Sequence, residues 1–112
     1  MQAEEKAKLI AALAADLKAR DIIILNLTGI SPVTDYFVIC SVDSTIQMNA
    51  VIERVKAELK KQGTFVWGRE GEDRSSWQLL DCGEVVFHVF MDEARNYYEL
   101  ERLWADATVT AV

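Results

Sequence analysis

The side chains that could do chemistry are few and scattered. His88 is the single histidine, set among Val86, Phe87, Val89 and Phe90. As a general base it would need an orienting carboxylate and a reactive group nearby, and Asp81 across a hairpin is the nearest candidate. A lone histidine in an apolar strand is more simply a packed, hydrogen-bonded residue, and His88 is read that way. Ser31, Ser41, Ser44, Ser75 and Ser76 lie in loops with no nucleophile-elbow glycines around them. Gly29, Gly63, Gly68, Gly71 and Gly83 form neither a phosphate loop nor a dinucleotide fingerprint. Two-metal nucleotidyl transfer needs carboxylates converging on divalent ions, but Phe37 stands where the second member of an Asp-x-Asp pair begun by Asp35 would be. Cys40 and Cys82 lack metal-ligand or redox spacing and are read as reduced thiols. These readings assign no catalytic, cofactor-binding or metal-binding residue, and no cofactor.

The elements that hold these residues follow from periodicity. Ile10, Leu13 and Leu17 recur at helical spacing, with Glu4 and Lys8, and Asp16 and Arg20, four apart on the outer side. Residues 21–28 form a β-branched run, and 35–41 a second strand. Ser44 to Gln47 has the form of a capping box opening a helix whose stripe is Met48, Val51, Ile52, Val55 and Leu59, ended by Gly63. Residues 64–67 are a short strand candidate, and 68–75 a solvated, mobile loop. Two further strands, 77–81 and 84–91, join through Cys82-Gly83 as a hairpin. Asp92 and Glu93 open a last helical stretch carrying Tyr97, Tyr98, Leu100, Leu103 and Trp104. The order predicts one α/β domain over residues 1–112, with a mixed five-stranded sheet flanked by helices and residues 105–112 a frayed tail.

Net charge is −6, which argues against wrapping bare nucleic acid. Its distribution is uneven. Acids and bases balance up to Gly68, and the entire excess of acid follows it. Trp77, Tyr97, Tyr98 and Trp104 fall in that acidic half, and exposed aromatics framed by charge are what interface hot spots look like. At least one of the four is expected to be exposed. Apolar runs are far shorter than the roughly 20 residues of a membrane span, and the amino-terminal residues lack the pattern of a secretory signal. No membrane partner is expected, and the cytosol is the expected compartment.

Several segments, in order, resemble the ribosomal silencing factor, or Iojap-like, family. They are Asp21-Ile22-Ile23, Gly29-Ile30-Ser31, Asp35 to Ile39, Trp77 to Asp81, Gly83 to Phe90, and Glu93 to Trp104. The resemblance covers nearly the whole chain, departing mildly at Cys82, Glu84 and Phe87. It implies a nucleotidyltransferase-like fold without that activity. It also implies a translational repressor that binds ribosomal protein fourteen on the joining face of the large ribosomal subunit and blocks the small subunit, with organellar relatives acting in subunit assembly. Combined with the acidic half, it makes Trp77, Asp81, Tyr98, Glu99 and Glu101 the expected partner-binding residues, with Trp77 and Asp81 near one hairpin end. No sequence-specific nucleic acid contact is expected. Two other classes stay open: a nucleotide-binding or nucleotidyl-transferring enzyme, and a self-associating scaffold, including a homodimer off the ribosome.

Overall fold

In a computed structural model that describes residues 1–71 and 75–112, four helices and six strands follow one another along the chain. They are α1 (Ala3–Asp16), β1 (Arg20–Asn26), β2 (Tyr36–Val42), α2 (Thr45–Lys61), β3 (Gly68–Glu70), β4 (Trp77–Asp81), β5 (Val85–Met91), α3 (Asp92–Tyr98), α4 (Leu100–Leu103) and β6 (Thr108–Ala111). The strands form one mixed sheet in the order β3-β4-β5-β2-β1-β6. Among the described residues only β2 and β5 run parallel as neighbours, and every other pairing is antiparallel. The helix α2 carries the chain from the middle of the sheet to its far edge, and β4 and β5 then return to the centre.

Strand alternation divides the side chains between two faces. On one face, Val38, Cys40, Leu80, Phe87 and Val89 meet Ile10 and Leu13 of α1 and Met48, Val51, Ile52, Val55 and Leu59 of α2. On the other, Leu25, Ile39 and Phe90 meet Ala94, Leu100 and Ala107. Both cysteines are buried free thiols, pushed up to about 12 by burial, so neither is a reactive thiolate near neutral pH.

The amino-terminal cap of α2 forms as expected on one side only. Ser44 Oγ accepts from the Gln47 amide at 3.0 Å, but the Gln47 side chain turns away. Its Oε1 accepts from the Asp43 amide at 2.7 Å, while its Nε2 donates to the Leu17 carbonyl at 3.0 Å and ties α2 to the end of α1. The Glu4–Lys8 pair is present at 3.2 Å. Asp16 and Arg20 do not pair as helical neighbours, because α1 ends at Asp16 and Arg20 reaches Asp43 and Asp92 instead.

Five expectations need correction. The sheet has six strands rather than five. Residues 64–67 are not the third strand, because β4 offers Leu79 to Asp81 as partners and these meet Gly68 to Glu70, with only the Trp67 amide added beyond at 2.8 Å from the Asp81 carbonyl. The expected loop 68–75 begins as a strand, since Gly68–Glu70 pair with β4, and residues 72–74 lie outside the described residues. The tail from 105 onward does not fray throughout, since Thr108–Ala111 pairs with β1 and Val112 N donates to Ile22 O at 2.9 Å. An exposed edge of β1 would leave a row of unpaired backbone groups, and β6 satisfies them although its own side chains are exposed. The last helical stretch is broken by Glu99, whose φ of 47° places it in the left-handed region between α3 and α4.

Candidate partner-binding face

The second sheet face is only half covered. Register places Trp77 opposite Phe90, Leu79 opposite His88 and Asp81 opposite Val86, so all six share that face. Phe37 joins them beside Val86 on β2. The short helices α3 and α4 pack over Ile39, Leu25 and Phe90 and stop there. What remains is an open groove of about 470 Å³ floored by Phe37, Leu79, Val86 and His88. Its rim is Trp104 on one side, Val33 and Ser31 from the β1–β2 loop on another, and Glu70 and Asp81 at the β3–β4 edge. Val33 is 85% exposed.

An aromatic ladder runs along one end of this groove. Trp77 stacks on Phe90 with ring centroids 5.1 Å apart and meets Tyr98 at 4.6 Å, and Tyr98 in turn meets Tyr97 edge-on at 5.1 Å. Tyr97 is 81% exposed and Tyr98 46%, whereas Trp77 and Trp104 are half-buried. The expectation that at least one of the four aromatics is exposed is met by both tyrosines.

His88 lies beneath the groove with its polar atoms spoken for on one side only. The Trp77 indole N–H donates to His88 Nδ1 at 3.1 Å. An indole can only donate, so Nδ1 accepts and Nε2 carries the proton of the neutral ring. That N–H is buried with no acceptor among the described residues. Burial pushes the imidazole down to about 4, which keeps it neutral near pH 7. Asp81 is not its orienting group, since it stands opposite Val86 and its Oδ1 accepts from the Gly83 amide at 3.0 Å. Phe37 meets the imidazole edge at 4.5 Å, so the position of a second transferase carboxylate belongs to an apolar floor.

The five expected binding residues do not converge on one point. Trp77 and Tyr98 touch. Asp81 shares the face of Trp77, but the two occupy opposite ends of β4, roughly 13 Å apart at strand rise, rather than one hairpin end. Glu99 is exposed and pairs with Arg102 at 3.3 Å. Glu101 is held by Arg95 Nε at 2.8 Å, and Arg95 also donates to Ser41 Oγ at 2.9 Å, so this carboxylate braces α4 against the sheet. The floor residues Leu79 and Val86 were not anticipated as a site. The available signal was the two-residue period of β4 and β5, which lines both up with Trp77 on a face only a short helical segment could cover. Of the three departures from the family pattern, Phe87 and Cys82 are buried in the core on the α1/α2 side, and Glu84 pairs with the buried Lys6 at 3.2 Å.

The chain matches the family described as "Ribosomal silencing factor during starvation" over residues 1–112. It is 44% identical to a ribosomal silencing factor of Bacillus subtilis over 100 residues, which covers 89% of this chain and 85% of that protein. It is 33% identical to the mouse protein named for mitochondrial assembly of the ribosomal large subunit, covering 86% of this chain and 43% of that one. The crystal structure of a protein from Chromobacterium violaceum superposes with a TM-score of 0.89 at 33% identity, covering 94% of this chain and 88% of the other.

Proposed function

The chain belongs to the ribosomal silencing factor family, and we propose that it represses translation by seating its half-open sheet face on ribosomal protein fourteen of the large subunit. Held there, it blocks docking of the small subunit by occupying the space. No bond is made or broken in this role. The observation that carries the reading is the groove over Phe37, Leu79, Val86 and His88, bordered by the Trp77–Tyr98 stack and by the carboxylates of Asp81 and Glu70. An apolar floor with acid at its rim suits a basic protein presenting apolar side chains, because the floor supplies desolvated contact while the rim steers approach. A standard interface takes about 800 Å² from each partner, roughly an eighth of the 6437 Å² accessible here.

Two of the five proposed contact residues carry distinct roles. Trp77 is the anchor, since its ring is already held by Phe90, Tyr98 and the hydrogen bond to His88, and little freedom is lost on binding. Asp81 is the charge partner at the far end. Tyr98 extends the anchor, and Glu99 and Glu101 contribute field more than direct contact, because each has a basic neighbour within the fold.

The test is light scattering of subunit joining with purified bacterial subunits. Preincubating large subunits with the protein should suppress the joining signal, and Trp77→Ala should need about 30-fold more protein for the same effect, as a hot-spot loss above about 2 kcal/mol implies. Joining at the normal rate with the protein bound would refute steric exclusion. Failure to sediment with large subunits would refute the whole reading.

A further inference from the structure

The connection between α2 and β3 holds two large aromatic side chains out of the fold. Phe65 is 64% exposed and Trp67 70%, with ring centroids 5.0 Å apart in an edge-on pair. Their backbone is not loose. Val66 between them packs against the α1/α2 core, and the Trp67 amide bonds the Asp81 carbonyl. The indole edge also lies over Gly83, where an added Cβ would come within 3.4 Å of Nε1. Alternation then sends both neighbouring rings outward, a placement that core packing does not explain.

Beside Phe65 is a hollow of about 300 Å³ lined by Lys56, Lys60, Thr64, Phe65 and Val66. Lys56 and Lys60 stand four residues apart on one side of α2, where like charges repel. Neither lysine forms an ion pair among the described residues, nor does Lys61. The flanking carboxylates are engaged elsewhere: Glu53 with Arg69 at 3.6 Å, Glu58 with Gln62 at 3.3 Å, and Glu84 with Lys6 at 3.2 Å. Basic residues in a last helical turn favour the helix dipole, which accounts for Lys60 and Lys61 alone. It explains neither Lys56 nor the two exposed rings. In a chain of net charge −6, ammonium groups unpaired among the described residues and sharing a hollow with the exposed Phe65 ring, itself edge-on to Trp67, ask for an anion that carries flat rings.

We propose that this Phe65–Trp67–Lys56–Lys60 corner is a second contact surface that takes single-stranded RNA, bases against the rings and phosphates against the lysines. The choice of RNA rests on the ribosomal reading above, since the ribosome is where the protein would meet RNA. The local chemistry stands apart from it. Stacking accepts any base, so the contact is sequence-tolerant and supplements the protein interface without wrapping nucleic acid.

The probe is a short fluorescein-labelled single-stranded oligoribonucleotide of mixed sequence, titrated with the full chain in an anisotropy assay across a salt series. The parent should bind saturably. The Phe65→Ala/Trp67→Ala double variant should bind at least about tenfold more weakly, since a lost base stack costs that much or more. Lys56→Glu/Lys60→Glu should lower the salt slope by about 1.4, for two phosphates released. Trp67→Phe should recover most of the affinity, and circular dichroism should show every variant folded. Trp77→Ala, which strips the protein-binding face, should bind the oligonucleotide like the parent, and a parent that binds the oligonucleotide but not large subunits would fault only the ribosomal reading. No oligonucleotide binding by the parent, equal binding by the double aromatic variant, or stronger binding to vesicles of pure phosphatidylglycerol would overturn the proposal.

Discussion

The two faces of the sheet are built to different standards. The face under α1 and α2 is closed by two helices of 14 and 17 residues, and Ile10, Val51, Ile52, Val55 and Leu59 of those helices and Leu80 and Phe87 beneath them are each 0% exposed. The face under α3 and α4 is closed by helices of 7 and 4 residues, split at a left-handed glutamate, and leaves a groove. It also holds the buried imidazole N–H without an acceptor among the described residues. Stability is concentrated on the first face, while the second gives up burial for an accessible apolar floor. Strain and incomplete satisfaction gather on the face proposed to receive a partner.

That division can be broken at several points. The largest effect belongs to Phe87→Ala on the closed face, which should cost about 3–5 kcal/mol in urea denaturation because a fully buried ring leaves a cavity among fixed helices. A loss below about 1 kcal/mol would mean that the closed face is not where stability resides. Next is the acid response of the open face. The folded chain binds a proton at His88 only near pH 4, while the unfolded chain does so near the ordinary 6.5. Stability is therefore complete above about pH 6.5 and falls as pH drops towards 4, by about 3 kcal/mol from this group. In His88→Phe the fall across that window should shrink by about that amount. An unchanged slope would place the acid sensitivity elsewhere. The smallest effect is at the helix break, where Glu99→Gly removes the Cβ penalty of φ 47° and should raise stability by about 0.5–1 kcal/mol, read from the denaturation midpoint. A loss instead would show that the Glu99–Arg102 pair outweighs the strain.

The closed face was the more legible of the two. The stripe from Met48 to Leu59 lies in the core as its spacing requires, and the hairpin forms one residue later than expected, with the Cys82 amide donating to the Val85 carbonyl at 2.9 Å and the turn at Gly83-Glu84, Gly83 at φ 82°. Pattern failed where pairing partners decided the outcome. Thr64 to Trp67 has strand-like side chains, but strand assignment belongs to the backbone that reaches β4, and that begins at Gly68. Thr108 to Ala111 has exposed side chains throughout, so nothing but the unpaired edge of β1 calls for a strand there. The open face was legible in residue type and not in arrangement. Aromatics and acids were sought after Gly68, yet Glu101 turned out to be tied to Arg95, and the groove floor came from residues that read simply as strand. Which outward positions a helix leaves uncovered is a property of tertiary packing, invisible to a two-residue period.

The central claim is that the open face, and not the helical one, meets the ribosomal protein. It is tested by the affinity for purified large subunits of Leu79→Lys, which puts a cation on the half-buried groove floor, measured beside Arg54→Glu on the exposed side of α2. Leu79→Lys should bind at least about 30-fold more weakly, as expected when an interface core receives a like charge, with Arg54→Glu within about twofold of the parent. Parent-like binding by folded Leu79→Lys, with the loss falling on Arg54→Glu, would contradict the account.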